Sequence, residues 1–218
     1  MPSICADELA ALFIETSKRL SSGINDRYWL ELRNRRDLKP NASSIREPDA
    51  RYILCRILAE NARRFGIEWP TTWKYGFSGP SLGRARIDLA LEPSPDGNGQ
   101  VNVEFKEGWS TSRTDSKPIG RIQKDFEKML MEETSGCAFY HILQGPTRKS
   151  LSDLLGEYAV ENQMSVDRII ERNRIFEKWC LIFFFLKDRG ECYWRSFERV
   201  SQISSQINDL NTFSCEQI

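Results

Sequence analysis

Glu104 and Lys106 stand two apart in Val101-Asn102-Val103-Glu104-Phe105-Lys106, a segment in which apolar and polar residues alternate. In a strand, side chains two apart share a face, so this carboxylate and this ammonium must lie side by side. The same Asp/Glu-x-Lys spacing occurs at Asp37-Leu38-Lys39 and Asp115-Ser116-Lys117, but at a helix end and in a loop, with no alternation to align the two charges. Upstream, Ile87, Leu89 and Leu91 alternate with Arg86, Asp88 and Ala90, and the intervening Pro93-Ser94-Pro95-Asp96-Gly97-Asn98-Gly99 is dense in turn formers. The two segments read as a β-hairpin. Setting Asp88 opposite Glu104 also sets Ile87 opposite Phe105, Leu89 opposite Val103 and Leu91 opposite Val101. That register matches every hydrophobic on one face and gathers Asp88, Glu104 and Lys106 on the other. Adjacent carboxylates repel unless a cation lies between them or one keeps its proton. Hard oxygen donors suit Mg²⁺, and a lysine beside such an ion can orient a water or stabilise charge on a phosphoryl oxygen. The plain alternative is a solvated strand face stitched by ion pairs of little energetic worth.

The elements that must position these residues follow from periodicity. A helix led by Asp7 carries Leu9, Leu12, Phe13 and Leu20 on one side, and a second, over about 25–37, ends in Arg33-Asn34-Arg35-Arg36. Residues 39–44 read as a linker. A longer helix runs from about Pro48 to Arg64 with Tyr52, Cys55, Ile57, Leu58 and Ala62 on its apolar side and Gly66 as its stop. After the hairpin and a segment over 108–120 comes a helix near 121–133 with Ile122, Phe126, Met129 and Leu130 inward. Cys137 to Leu143, apolar on both faces, reads as a central strand covered on both sides. A helical region over about 150–178, a strand at 181–186, a turn at Asp188-Arg189-Gly190 and a partner strand at 192–197 follow. The last twenty residues are polar and read as peripheral. The expected class is α/β, a mixed sheet flanked by helices.

The chain has 218 residues, enough for one large domain, with 40% hydrophobic and 28% charged residues. Lysine plus arginine and aspartate plus glutamate both number 31, which argues against a purely electrostatic nucleic-acid binder. The six cysteines (5, 55, 137, 180, 192, 215) form no CxxC pair and read as reduced thiols of a cytoplasmic protein. No basic-then-apolar leader opens the sequence, and no apolar run is long enough to cross a bilayer, so no membrane is expected.

Helix, hairpin bearing Asp88 and then Glu104-Phe105-Lys106, helix, buried strand: this order resembles the PD-(D/E)XK, or restriction-endonuclease-like, nuclease superfamily, over about residues 45–145. Where many members have a proline before the aspartate, this chain has Ala85-Arg86-Ile87. The resemblance implies a restriction-endonuclease-like core at 45–200, preceded by an N-terminal helical extension at 1–44 and followed by a peripheral tail at 201–218. It implies that Asp88 and Glu104 ligate Mg²⁺ (Mn²⁺ able to substitute), with the Phe105 carbonyl as a further ligand and Lys106 positioning the attacking water. Glu47 would hold a second ion or a metal-bound water, with Glu60 as the alternative, and Gln123 or Lys124 would add a polar group from the next helix. The implied reaction is Mg²⁺-dependent hydrolysis of DNA phosphodiester bonds in restriction, repair or defence. Double-stranded DNA would be the partner, and a homodimer or larger assembly is one expected form. Arg84, Arg86, Arg113, Lys117, Arg121 and Lys124 flank the proposed site, where substrate phosphates would pass.

Two other readings stand beside this one: a catalytically silent nuclease-fold module that binds nucleic acid or a partner protein, and an α/β interaction protein whose charged face carries no chemistry. His141, the single histidine, lies within the apolar strand and reads as buried and hydrogen-bonded. Trp69, Trp73, Trp179 and Trp194 read as packing residues, and Arg33, Arg35, Arg36 and Lys39 as a solvated helix end.

Overall fold

The computed structural model describes residues 4–22, 47–74, 84–94, 96–107, 119–143, 148–171 and 175–218, with backbone alone at 71–74, 84, 85, 107, 119–121 and 148–150. The second helix and the linker read from the sequence therefore lie outside the described residues, as do Arg33, Arg35, Arg36 and Lys39.

Two strands set the architecture. β4 (Gly136–Leu143) is buried along its whole length, and β5 (Trp179–Leu186) has only Trp179 part-exposed. Strands this apolar need cover on both faces. They pair in parallel with each other, and β4 also pairs in parallel with β3 (Val101–Glu107). Parallel neighbours require crossovers, supplied here by α3 (Ile119–Met131) and α4 (Arg148–Ile170). Antiparallel strands extend the sheet on both sides: β1 (Phe65–Lys74) and β2 (Arg84–Leu91) beyond β3, and β6 (Glu191–Phe197) and β7 (Ser214–Gln217) beyond β5. The seven strands lie in sequence order.

Each face has its own core. α3 and α4 bring Ile122, Phe126, Met129, Leu154 and Tyr158 against Cys137, Phe139, Ile182 and Phe184. α1 (Ala6–Ser22) and α2 (Glu47–Glu60) bring Leu9, Phe13, Leu54 and Leu58 against Val101, Val103, Phe105, Tyr140 and Phe183. Alternate residues of β4 thus serve opposite cores, as the pleat demands. The Phe13 ring meets Tyr140 edge-on with centroids 5.0 Å apart, and Ser17 hydrogen-bonds the Tyr140 hydroxyl at 2.7 Å, so α1 is fastened into the same core as the hairpin.

Four expectations are corrected here. α2 ends at Glu60 and not near Arg64 with Gly66 as its stop: the Arg63 amide donates to the Leu58 carbonyl, the Ala62 amide to Ala59, and Ala62 takes φ +54°. This is a Schellman end with alanine in the left-handed position, so Ala62 terminates the helix and is not part of its apolar side. Gly66 instead lies in β1, a strand the sequence did not announce. Helix α4 stops at Ile170, short of 178. The C-terminal residues, expected to be peripheral, bury Ile203 and Ile207 and add β7 to the sheet.

Candidate active site

The hairpin has the expected register. Leu89 faces Val103, Ala90 faces Asn102 and Leu91 faces Val101, which continues to Asp88 opposite Glu104. At Asp88 the arrangement changes, because its Oδ2 accepts a hydrogen bond from the Phe105 backbone amide at 2.9 Å. A side-chain carboxylate thus takes the place of the next rung of the ladder.

The matched apolar face also divides at this point. Leu89 and Leu91 join the core under α1 and α2, whereas Ile87 joins the core under α3 and α4 together with its β1 partner Trp69. In the neighbouring strand Glu68, between Ile67 and Trp69, has φ +52°, a left-handed conformation that is costly for a residue with a Cβ. The expectation of one continuous apolar face is therefore corrected at Ile87. Asp88 lies near enough to Glu104 to act on its charge and also accepts from the Phe105 amide. Its other oxygen lies 3.8 Å from Arg51 Nη1, which is itself 2.6 Å from Glu68 Oε1.

Glu104 is 1% exposed and sits among charges presented by helix α3. Lys128 Nζ lies 2.6 Å from Glu104 Oε1 and 2.9 Å from Asp125 Oδ1, and Lys106 Nζ lies 3.3 Å from Glu104 Oε2 and 2.8 Å from Asp125 Oδ2. Two carboxylates and two ammoniums form a closed quartet. Asp125 and Lys128 are three residues apart, so one helix face delivers both, and they flank the apolar stripe of Ile122, Phe126, Met129 and Leu130, which draws them down onto the sheet. Lys128 has a third acceptor, the Arg86 carbonyl at 3.2 Å.

The electrostatics share one cause. Burial first, then the Asp125 and Asp88 carboxylates, push the Glu104 carboxyl up to about 8 against the opposing pull of Lys128 and Lys106. Burial would strip the two lysines of their protons, but Asp125 and Glu104 around Lys106, and Glu104 and Asp125 around Lys128, outweigh it and hold both above the usual lysine range. Each of the two carboxylates, Glu104 and Asp125, is thus held between two charged lysines.

The other expected residues fall as follows. Glu47 opens α2 one turn before Arg51, the residue that reaches Asp88, whereas Glu60 at the far end pairs with Arg19 and Arg56. Gln123 is on α3, but its Nε2 is buried without a hydrogen-bond partner among the described residues, and its carbonyl accepts from Ser165. Phe105 sits in the β3–β4 ladder opposite Tyr140, its ring in the α1/α2 core. Arg86 is exposed with its carbonyl turned to Lys128, and Lys124 is exposed on α3. Arg84 and Arg121 are placed by backbone at the start of β2 and in the first turn of α3, while Arg113 and Lys117 lie outside the described residues. His141, opposite Lys106 in the ladder, is buried as expected with its ring edge-on to Tyr158 at 5.1 Å, but its Nε2 has no hydrogen-bond partner among the described residues. Burial, then Lys106, push it down to about 3, so it is neutral. Trp69, Trp179 and Trp194 pack against the two cores, and all six cysteines are free thiols.

Arg51, Asp125 and Lys128 were missed. The available signal was Asp125-Phe126-Glu127-Lys128, two opposite charges one turn apart on the edge of a strongly apolar stripe.

The donor set suits a hard divalent cation, since every ligand-type atom at Glu104, Asp125 and Asp88 is a carboxylate oxygen. Ammonium groups hold these positions here, and among the described residues no three Asp, Glu, His or Cys side chains converge as a ready metal cage. No protein-family model, curated protein or solved structure matches the chain. Among the described residues, no helix is long and apolar enough to cross a membrane.

Proposed function

We propose that the chain is a Mg²⁺-dependent nuclease of the PD-(D/E)XK kind, with a restriction-endonuclease-like core, that hydrolyses DNA phosphodiester bonds. One observation carries the reading. The hairpin register brings Asp88, Glu104 and Lys106 to the point where β2 and β3 part, in a buried cluster of carboxylate oxygens already held by ammonium groups. The element order α2, β2, β3, α3, β4 supports it, because it keeps the order on which the sequence resemblance rests, with β1 added between the first helix and the hairpin.

Glu104 and Asp88 would hold the ion, with the Phe105 carbonyl and Glu47 as further oxygen donors and Asp125 added from α3. A divalent ion there supplies Lewis acidity toward a phosphoryl oxygen and lowers the pKa of a bound water. Lys106, the more exposed lysine of the quartet, is the group able to orient an attacking water or meet developing negative charge. The exposed Arg86 and Lys124 are available to phosphates of the duplex, as would be Arg84, Arg113, Lys117 and Arg121.

The deciding experiment is cleavage of supercoiled duplex DNA with Mg²⁺ or Mn²⁺, comparing the native chain with Glu104→Gln. Metal-dependent nicking that disappears in the folded variant supports the assignment, and nicking unaffected by Glu104→Gln removes it. One observation favours a second reading, a nuclease-fold module that binds without cutting: both Glu104 oxygens already face ammonium groups and Asp88 is engaged by the Phe105 amide. Duplex binding with no cleavage under any divalent ion would select it.

A further inference from the structure

Lys128 is 3% exposed, and the three N–H donors of its ammonium are matched by three oxygens: Glu104 Oε1 at 2.6 Å, Asp125 Oδ1 at 2.9 Å and the Arg86 carbonyl at 3.2 Å. Two carboxylates and one main-chain carbonyl are also what a small hard cation selects. Lys106 shares the carboxylates, but it reaches two oxygens and its side chain is 23% exposed against 4% for Lys128. Within the quartet of Glu104, Asp125, Lys106 and Lys128 the charges cancel. A divalent ion added with both ammoniums in place would leave two uncompensated positive charges in a site shielded from water, an expensive state. Exchange avoids it.

We propose that the Lys128 ammonium is a built-in occupant of the cation position, and that a divalent ion enters by displacing it from Glu104, Asp125 and the Arg86 carbonyl. This rests on reading the cluster as a metal site, and it adds the Arg86 carbonyl to the ligand set. The flexible four-carbon stem lets the lysine leave without disturbing helix α3, whose apolar stripe stays buried. The metal-free protein keeps a neutral, folded cluster, and the ion's affinity is reduced by the cost of expelling the lysine.

The test is calorimetric titration of the full chain with Mn²⁺ and with Ca²⁺, for the native protein and for Lys128→Met, with folding checked by circular dichroism. Removing the competitor should tighten binding by about tenfold or more. Folded Lys128→Met that binds no more tightly than native protein overturns the exchange while leaving the metal site standing. Absence of binding in both proteins overturns the metal-site reading itself. The native chain provides an independent measurement should Lys128→Met not fold: acylation of lysines by an amine-reactive reagent, mapped by mass spectrometry in EDTA and at saturating Ca²⁺. Lys128 should be protected in EDTA and modified once the ion is bound. Unchanged protection at Ca²⁺ saturation overturns the exchange.

Discussion

Asp88 Oδ2 accepts the Phe105 backbone N–H at 2.9 Å, joining the residue expected to hold a metal to the residue that separates Glu104 from Lys106. The bond has a structural use as well as a chemical one, since it satisfies a buried amide at the point where the β2–β3 ladder stops. Asp88→Ala should therefore cost about 1–3 kcal/mol in denaturant unfolding, the range for leaving a buried amide unpaired. Asp88→Asn keeps an acceptor oxygen and should recover most of that loss, while Mg²⁺-dependent cleavage should fall in both variants. Equal destabilisation by Asn and Ala would show that the carboxylate's charge, and not its oxygen, holds the hairpin end.

Lys106→Ala separates charge compensation from catalysis. Lys128 retains its contacts with Glu104 and Asp125, so the fold should persist and divalent-ion binding should be unchanged or tighter. The cleavage rate should drop by about a hundredfold or more, the usual consequence of removing one preorganised charge stabiliser. A folded Lys106→Ala protein that cuts DNA at the native rate would remove Lys106 from the mechanism.

The parts of the fold most legible in the sequence were those set by strict periodicity. β4 and β5 declared themselves by unbroken apolar runs, and the hairpin register by the match of Leu89 and Leu91 to Val103 and Val101. β1 escaped notice because Gly66 and Pro70 interrupt it, and both residues weaken a strand reading. The facing of Ile87 could not be read from β2, because strict alternation puts it with Leu89 and Leu91 while the structure packs it in the opposite core. Asp125 and Lys128 look like ordinary helix-surface charges in one dimension. Only the docking of α3 over Glu104 makes them buried, and that is a tertiary fact.

The end of α2 offers a test of backbone strain independent of the site. Ala62 holds φ +54° at the C′ position of a Schellman end, where a Cβ costs about 1 kcal/mol and glycine is free of the penalty. Ala62 is an exposed residue. Ala62→Gly should raise unfolding stability by about 0.5–1 kcal/mol with metal binding and cleavage unaffected. Loss of stability in this variant would mean that the native helix runs through Ala62.

His141 supplies a pH signature, because it is the chain's single histidine and is held neutral inside the sheet. Burial, then Lys106, lower its folded pKa to about 3, whereas the unfolded chain has an ordinary histidine near 6.5. Below pH 6.5 the unfolded state takes up a proton that the folded state refuses, so stability must fall as pH falls toward the folded value. Glu104, pushed up to about 8, acts in the opposite sense between its unfolded and folded values, as do the raised Glu157 and Glu161. Subtracting a variant that lacks only the imidazole isolates the histidine. Between pH 6.5 and pH 5 the native protein should lose about 1.5 kcal/mol more than His141→Leu, the linkage expected for one proton over that interval. Urea unfolding at the two pH values measures the difference directly. Parallel slopes for the two proteins would place the His141 imidazole in a protonatable setting, in conflict with its burial against Tyr158 and Phe184.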